Sequence, residues 1–236
     1  MLIDRKKERL LAIITAPVML IAIGMIFFYV PQMKGNAGDI LDSSFKIFYF
    51  HLPIAMVAYL AFTVVFITSI MQLKTNSRRW DIVAHSAAEV GVIFAFLVLV
   101  TGSIWAKATW GWYWIWEPRL TTSLALFLVY LAYIMLRQAL EEPEKRARLA
   151  AVFGIVGFLS VPLSFFSIRL WRSAHPLMFG SSSYGGSGGG LEGTTLQMTL
   201  AVNMLAFALL FASMLVYRIN NEALKEEIEE MKYNHS

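Results

Sequence analysis

Six apolar stretches dominate the sequence, and each is long enough to cross a lipid bilayer, which takes about 20 mostly apolar residues. They cover residues 11–30, 48–73, 87–105, 121–140, 150–168 and 196–217. Of the 236 residues, 58% are hydrophobic and only 15% are charged, whereas soluble domains average about 45–50% apolar and about 25% charged residues. So few charges cannot cover the surface of a soluble globule. The sequence therefore predicts an all-α integral membrane protein with six transmembrane helices.

The distribution of basic residues predicts how these helices are oriented. Fourteen lie in the two tails and in the loops after the second and fourth spans: Arg5, Lys6, Lys7, Arg9, Lys74, Arg78, Arg79, Arg137, Lys145, Arg146, Arg148, Arg218, Lys225 and Lys232. The opposite loops hold six: Lys34, Lys46, Lys107, Arg119, Arg169 and Arg172. Because cytoplasmic loops are enriched in Lys and Arg, both termini are predicted to be cytoplasmic. Residues 1–220 then form the transmembrane domain, and residues 221–236 form a charged cytoplasmic tail.

The composition also excludes several functions. The chain has no cysteine, so disulfides, thiolate metal sites and covalent attachment of a cofactor through a CxxCH motif are excluded within it. The net charge of +4 is too small and too dispersed to indicate nucleic-acid binding. No Walker-type phosphate loop is present. We therefore expect lipid around the spans and no enzymatic activity from this chain.

Three loops share the outer side in this topology, and each carries an unusual segment. His51 lies near the start of the second span. The tryptophan-rich outer segment 105–123 connects the third and fourth helices. His175 follows the fifth span and precedes a Gly/Ser-rich stretch, residues 180–193, which we interpret as a flap over the outer face. The topology alone predicts that these segments converge.

The tryptophans between the third and fourth helices have two interpretations. Single tryptophans near helix ends commonly form a belt among lipid headgroups. Here four occupy alternate positions of one short segment: Trp110, Trp112, Trp114 and Trp116. Such a run favours a compact platform that stacks on a flat apolar molecule while the indole N–H groups find polar partners.

The two outer histidines, His51 and His175, also have two interpretations. A lone histidine at a membrane interface usually packs as an amphipathic side chain or caps a helix. Two of them flanking an aromatic segment favour haem ligation, because two neutral imidazoles can bind the iron from opposite sides. Pro53 and Pro176 restrict the adjacent backbone. Zinc is less suitable, since cysteine is absent and the outer carboxylates lack ligand spacing.

Charged residues adjoin the same segments. Pro118 suits the first turn of the fourth helix, and Glu117 suits the positive end of its dipole. Arg119 is placed either to pair with Glu117 or to bind a ligand carboxylate, such as a haem propionate. Arg172, beside the second histidine, is a further candidate for cofactor binding. Lys107 is expected to extend to the interface.

The segment from Trp110 to Arg119, continued by Leu-Thr-Thr122-Ser123, resembles the tryptophan-rich signature of the haem-handling proteins of cytochrome c maturation. The continuation Arg-Leu-Thr and the preceding segment 100–106 are similar to the CcmC (heme exporter protein C) family, and the resemblance covers essentially the whole chain. It implies transient, non-covalent binding of haem b, with His51 and His175 as axial ligands of the iron. It also implies transfer to the haem chaperone CcmE, and assembly with CcmA, CcmB and CcmD in an ABC-type complex of a bacterial or archaeal plasma membrane.

Two other functions stay open on the sequence alone. A permease would need functional polar residues within its spans, for which Glu89 and Asn203 are the main candidates. Glu89 has no obvious partner nearby in the sequence. A scaffold would only assemble partners, and its tryptophans would serve as a lipid belt.

Overall fold

The computed structural model describes residues 3–30, 43–175, 183 and 194–234, and the described regular structure is entirely helical. Its α-helices are α1 (Arg5–Gly24), α2 (Phe48–Thr75), α3 (Arg78–Trp110), α4 (Pro118–Gln138), α5 (Pro143–Gly157), α6 (Ser160–Leu170) and α7 (Thr194–Asn234). A π-helical turn extends α1, and a 3-10 turn precedes α2. Six helical segments are long and apolar enough to cross a membrane, which confirms the predicted fold class. Apart from Ser183, the proposed flap lies outside the described residues.

Several helices extend beyond the apolar stretches that predicted them. The third begins at Arg78, because Asn76 adopts a left-handed conformation (φ 49°) immediately after α2 and reverses the chain within two residues. The last helix continues through the charged carboxyl tail to Asn234. Hydropathy detects only the part of a helix that crosses hydrocarbon, so it cannot detect these polar extensions.

The fifth span is broken into α5 and α6. Pro162 has no N–H and its ring clashes with the carbonyl four residues earlier, which belongs to Phe158. That carbonyl instead accepts a hydrogen bond from Val161 N at 2.9 Å. Gly154 lies where α5 packs on α2, and a Cβ there would lie 2.7 Å from Ser69 Oγ. The break and the glycine together let this span pack closely against α2.

Helix α2 lies at the centre of the bundle and packs against α3, α5 and α7. Buried alanines bring α2 and α3 close together: Ala58, Ala61, Ala87 and Ala88. The Phe62 ring stacks on that of Tyr130 in α4, with ring centres 3.6 Å apart. Small residues at helix contacts allow this close approach where water provides no driving force. Helix α1 packs on α7, where the Thr15 and Ser213 hydroxyls lie 2.8 Å apart.

The helix directions divide the candidate functional residues between two ends of the bundle. We call the end with His51, Trp105, Glu117 and His175 the histidine end. The opposite end brings together charged residues of α3, α4 and α7, and we call it the ion-pair end: Arg78, Asp81, His85, Glu89, Arg137, Arg218 and Glu222.

Candidate functional site

His51 lies in the first turn of α2 with its side chain buried against α3. Its Nδ1 lies 2.8 Å from the Thr101 hydroxyl oxygen. That hydroxyl has a single proton, which it donates to the Leu97 carbonyl at 2.7 Å, so it accepts a hydrogen bond from His51 Nδ1–H. The other ring nitrogen, Nε2, then carries a lone pair suited to a metal ion. Gly102 makes room for the ring, since a Cβ there would lie 3.1 Å from His51 Cε1.

His175 lies in the short segment after α6, and hydrogen bonds connect this segment to α4. The His175 backbone N–H donates to Ser173 Oγ at 3.1 Å, and the Ser173 hydroxyl donates to Glu117 Oε2. Glu117 is buried and also caps α4, because its Oε1 accepts from Leu120 N at 3.2 Å. Glu117 therefore positions the loop that carries His175.

The two imidazole rings lie side by side in an edge contact, with ring centres 6.2 Å apart and ring planes 81° apart. A metal–imidazole bond is about 2.0–2.1 Å long and the nitrogen lies about 1.1 Å from the ring centre, so two imidazoles on opposite sides of one metal have centres about 6.3 Å apart. No group of three or more His, Asp or Glu side chains suits a metal ion within the described residues. The pair therefore suits a metal that receives its other ligands from a cofactor.

Electrostatics keep His175 in the neutral form that binds metals. Burial, together with the positive charge of Arg119 and the neighbouring His51, lowers its pKa from 6.5 to about 3. A neutral imidazole has a free lone pair, whereas an imidazolium cannot bind a metal.

Two clefts meet at the histidine pair. The first has about 590 Å³ of empty space and the second about 890 Å³, and both are partly open. Four residues line both: His51, Trp105, Arg119 and His175. A flat molecule placed between the histidines would extend into both clefts.

Arg119 is the basic residue that lines both clefts, and its side chain does not pair with Glu117. Its Nη1 donates to the Ser164 carbonyl at 2.5 Å, and its guanidinium lies 5.7 Å from the centre of the Tyr59 ring. The half-buried side chain is held between α2 and α6. It lines both clefts, where its remaining N–H groups suit a carboxylate. Of the two roles that the sequence allowed, pairing with Glu117 is wrong.

The four tryptophans of the platform divide into two pairs. Trp110 and Trp114 are half-buried and line the first cleft, and the Trp114 indole N–H is buried with no hydrogen-bond partner in the described part of the chain. Trp112 and Trp116 are 67% and 77% exposed. The Trp114 and Trp116 rings form an edge contact with centres 5.5 Å apart. Only half of the platform therefore faces the cleft.

Sequence reasoning missed several residues of the site. Trp105, Thr101, Tyr59 and Ser173 contact the histidines, the arginine or the glutamate, and none was selected as a site residue. Thr101 lies within an apolar span, where the sequence gives no sign that one hydroxyl contacts a histidine of the neighbouring helix. Conversely, the Arg172 side chain is exposed, and the arginines that line the clefts are Arg119 and Arg169.

The two permease candidates lie elsewhere. Glu89 is at the ion-pair end, where it accepts a hydrogen bond from Arg218 and lies 3.5 Å from His85, four residues before it. It therefore has one partner far along the sequence and one nearby, which the sequence pattern did not reveal. Asn203 is fully buried and donates to the Ala22 carbonyl at 3.3 Å and to the Thr199 carbonyl at 2.8 Å. It thereby connects α7 to α1, which is the usual role of a buried amide between membrane helices.

These features define a membrane protein of six spans with a pair of neighbouring histidines between two largely apolar clefts. A family model described as heme exporter protein C matches residues 3–234. The chain is 33% identical over 217 residues to heme exporter protein C of Bradyrhizobium diazoefficiens, covering 92% of this chain and 80% of that one. It is 31% identical to the Paracoccus denitrificans protein of that name (78% and 75% covered) and 27% identical to that of Escherichia coli K12 (90% and 82%). The chain therefore belongs to the heme exporter protein C family, a group of haem-handling membrane proteins, and the resemblance inferred from its sequence is confirmed.

Proposed function

We propose that this protein binds haem b reversibly at the extracytoplasmic surface of its membrane, with His51 and His175 as axial ligands. It then transfers the haem to the haem chaperone CcmE during cytochrome c maturation. In this proposal the histidine end faces the extracytoplasmic side of a bacterial or archaeal plasma membrane, and both termini are cytoplasmic. The protein acts as a subunit of an ABC-type complex with CcmA, CcmB and CcmD, and ATP hydrolysis takes place in a partner. Binding and transfer require no catalytic residue in this chain.

The observation that carries the proposal is the distance of 6.2 Å between the two imidazole ring centres. It matches the separation of about 6.3 Å expected for axial ligands of one metal. The tautomer set by Thr101 leaves the lone pair of His51 on Nε2, and His175 stays neutral at physiological pH. Both ligands are thus in the form that iron accepts.

The other residues of the site suit the remaining parts of the molecule. Bound haem supplies an iron with two axial positions, a flat apolar ring and two propionates. Arg119 is placed to pair with a propionate, and Trp114 offers an indole N–H without a partner. Trp105 and Trp110 provide apolar walls that exclude water from the ring. Histidine ligation without a covalent bond allows release.

Transfer is supported by the position of the exposed tryptophans. Trp112 and Trp116 extend from the same short segment whose other tryptophans line the cleft. A chaperone that contacted these exposed rings would lie next to the cofactor site, because the cleft-lining tryptophans alternate with them along the chain. The exposed rings therefore suit a protein partner or the lipid interface, and the cleft-facing rings suit haem.

Haem binding is tested by the absorbance spectrum of the purified protein. We expect a Soret band that is lost or shifted in His51→Ala and in His175→Ala. His85→Ala is a matched control, because both ring nitrogens of His85 face carboxylates at the ion-pair end, and its Soret band should be unchanged.

Transfer is tested by the covalent loading of CcmE with haem in cells that carry each variant. Loading should fall in the two outer-histidine variants and stay normal in His85→Ala. Normal loading by both outer-histidine variants would sink the ligand assignment.

A further inference from the structure

The ion-pair end contains a third cleft, at the opposite end of the bundle from the histidine pair, with about 800 Å³ of empty space. Four helices contribute to it, and every side chain that lines it is polar: Arg78, His85, Glu89, Arg137, Gln138, Arg146, Arg218, Glu222 and Lys225. No aromatic or aliphatic side chain lines it within the described part of the chain. A flat apolar ring would find no stacking surface there.

The lining carries a surplus of positive charge. Five of its side chains are basic and two are acidic, with His85 as the remaining titratable group. Asp81 lies just outside and pairs with Arg137 at 2.5 and 3.0 Å and with Arg78 at 2.7 Å. Counting this carboxylate as well, the cleft keeps about two positive charges more than negative ones.

Two arginines in the lining have N–H groups without an acceptor. Arg137 is only 5% exposed, and although both of its terminal nitrogens bind Asp81, its Nε–H has no hydrogen-bond partner in the described structure. The Nε–H of Arg146 is buried and has no partner there either. A buried donor without an acceptor is unfavourable, and the two guanidinium groups keep positive charge beside the cleft that the protein compensates only in part.

We propose that this cleft binds a phosphate-type oxyanion, either as free phosphate or as the headgroup of an anionic lipid. Arginine presents several N–H donors in a planar fork that matches tetrahedral oxyanions, and basic pockets between membrane helices bind anionic headgroups. The surplus of two charges matches one phosphate group. Neither the histidine pair nor haem enters this inference, so it holds or fails independently of the proposed function.

Binding is measured on the full-length protein in nanodiscs of phosphatidylcholine in phosphate-free buffer. One arm titrates inorganic phosphate by calorimetry. The other arm adds phosphatidylglycerol to the discs and counts retained lipid by native mass spectrometry. The variants are Arg146→Gln and Lys225→Gln, which leave the pair between Asp81 and Arg137 intact. Arg148→Gln is the matched control, because Arg148 lies on the same helix but outside the cleft and is exposed.

We expect Arg146→Gln to weaken binding at least about tenfold, equivalent to about 1.4 kcal/mol, and Lys225→Gln to weaken it less. Saturable phosphate binding that depends on Arg146 would support the site and assign it to a free anion. Lipid retention that depends on Arg146, with no phosphate binding, would support the site and assign it to a headgroup. An unchanged helical circular dichroism spectrum and a single elution peak for Arg146→Gln would show that this variant folds.

Two outcomes would overturn the inference. In one, the unsubstituted protein, Arg146→Gln and Arg148→Gln behave alike in both arms. In the other, the unsubstituted protein binds two haems and Arg146→Gln binds only one, which would assign the cleft to a second porphyrin.

Discussion

The two ends of the bundle use histidine in opposite ways. At the histidine end, His51 donates a hydrogen bond to the hydroxyl of Thr101, which leaves its other nitrogen free. At the ion-pair end, His85 Nε2 lies 3.5 Å from Glu89 and its Nδ1 lies 3.6 Å from Glu222. Both nitrogens of that ring therefore lie beside carboxylate oxygens. The surroundings of the two histidines thus differ: a hydroxyl and an apolar cleft for His51, and two carboxylates for His85.

The ends also differ in how they hold their charges. The ion-pair end compensates buried charge with opposite charge, as in the pair of Asp81 with Arg137. The histidine end places Arg119 against a backbone carbonyl and an aromatic ring, with its N–H groups facing a cleft. A paired buried charge becomes costly when its partner is removed, whereas an uncompensated charge, such as Arg119 or the surplus in the cleft of the ion-pair end, attracts a ligand. The following predictions test this division.

The largest predicted effect is a loss of stability, and it should come from breaking the ion pair between Asp81 and Arg137. Asp81 is 2% exposed, and removing one partner of a buried ion pair costs about 3–5 kcal/mol because the other charge stays buried. Asp81→Ala should therefore lower the free energy of unfolding in mixed micelles by that amount. Glu141→Ala, an exposed carboxylate at the same end, should change it by less than about 0.5 kcal/mol. Equal stabilities of the two variants would contradict a structural role for the ion pair between Asp81 and Arg137.

The next effect should come from the hydroxyl that orients His51. Thr101→Val keeps the side-chain shape but removes the acceptor for His51 Nδ1–H. Loss of such a partner typically costs about 10–100-fold in metal affinity, so haem titration followed at the Soret band should show a loss in that range. Thr101→Ser keeps the hydroxyl and should bind nearly as well as the unsubstituted protein. Unchanged affinity in Thr101→Val would show that His51 is oriented by packing alone.

A smaller effect should follow from releasing the loop that carries His175. Glu117→Ala removes both the cap of α4 and the acceptor for Ser173. A lost helix cap costs about 1 kcal/mol, so we expect haem affinity to fall about three- to tenfold. Glu117→Gln keeps an acceptor oxygen and should lose less. If Glu117 contacts haem directly instead, removal of its charge in Glu117→Gln should alter affinity as much as the alanine variant does.

The sequence predicted what hydropathy and composition encode, and little of what depends on distant contacts. The six spans follow from apolar stretches, and topology alone was enough to predict that His51 and His175 lie on one side. Glu89 shows the limit, because its partner Arg218 is 129 positions away and no local pattern connects them. Thr101 was missed for a similar reason, since its role depends on its contact with His51, which lies 50 positions earlier in the neighbouring helix α2.

The smallest effect should be that of pH on haem binding, and its near absence is informative. An imidazole with its ordinary pKa of about 6.5 would be only about 3% neutral at pH 5, so protons would weaken binding through that ligand about 30-fold between pH 8 and pH 5. Because burial and Arg119 lower the pKa of His175 to about 3, that ring stays neutral over the whole interval. The contribution of His175 to haem affinity should therefore change by less than about twofold, and fall only below about pH 4.

The same shift has the opposite consequence for the stability of the haem-free protein. The unfolded chain binds a proton at His175 below about pH 6.5 and the folded chain does not, so the free energy of unfolding should be constant above about pH 6.5 and decline as the pH falls from there toward 3. His175→Ala removes this titration and should show a shallower decline under the same conditions. Matching declines in the two proteins would mean that His175 is protonated as readily in the folded state as in water, and the contrast with the ion-pair end would then lose its electrostatic basis.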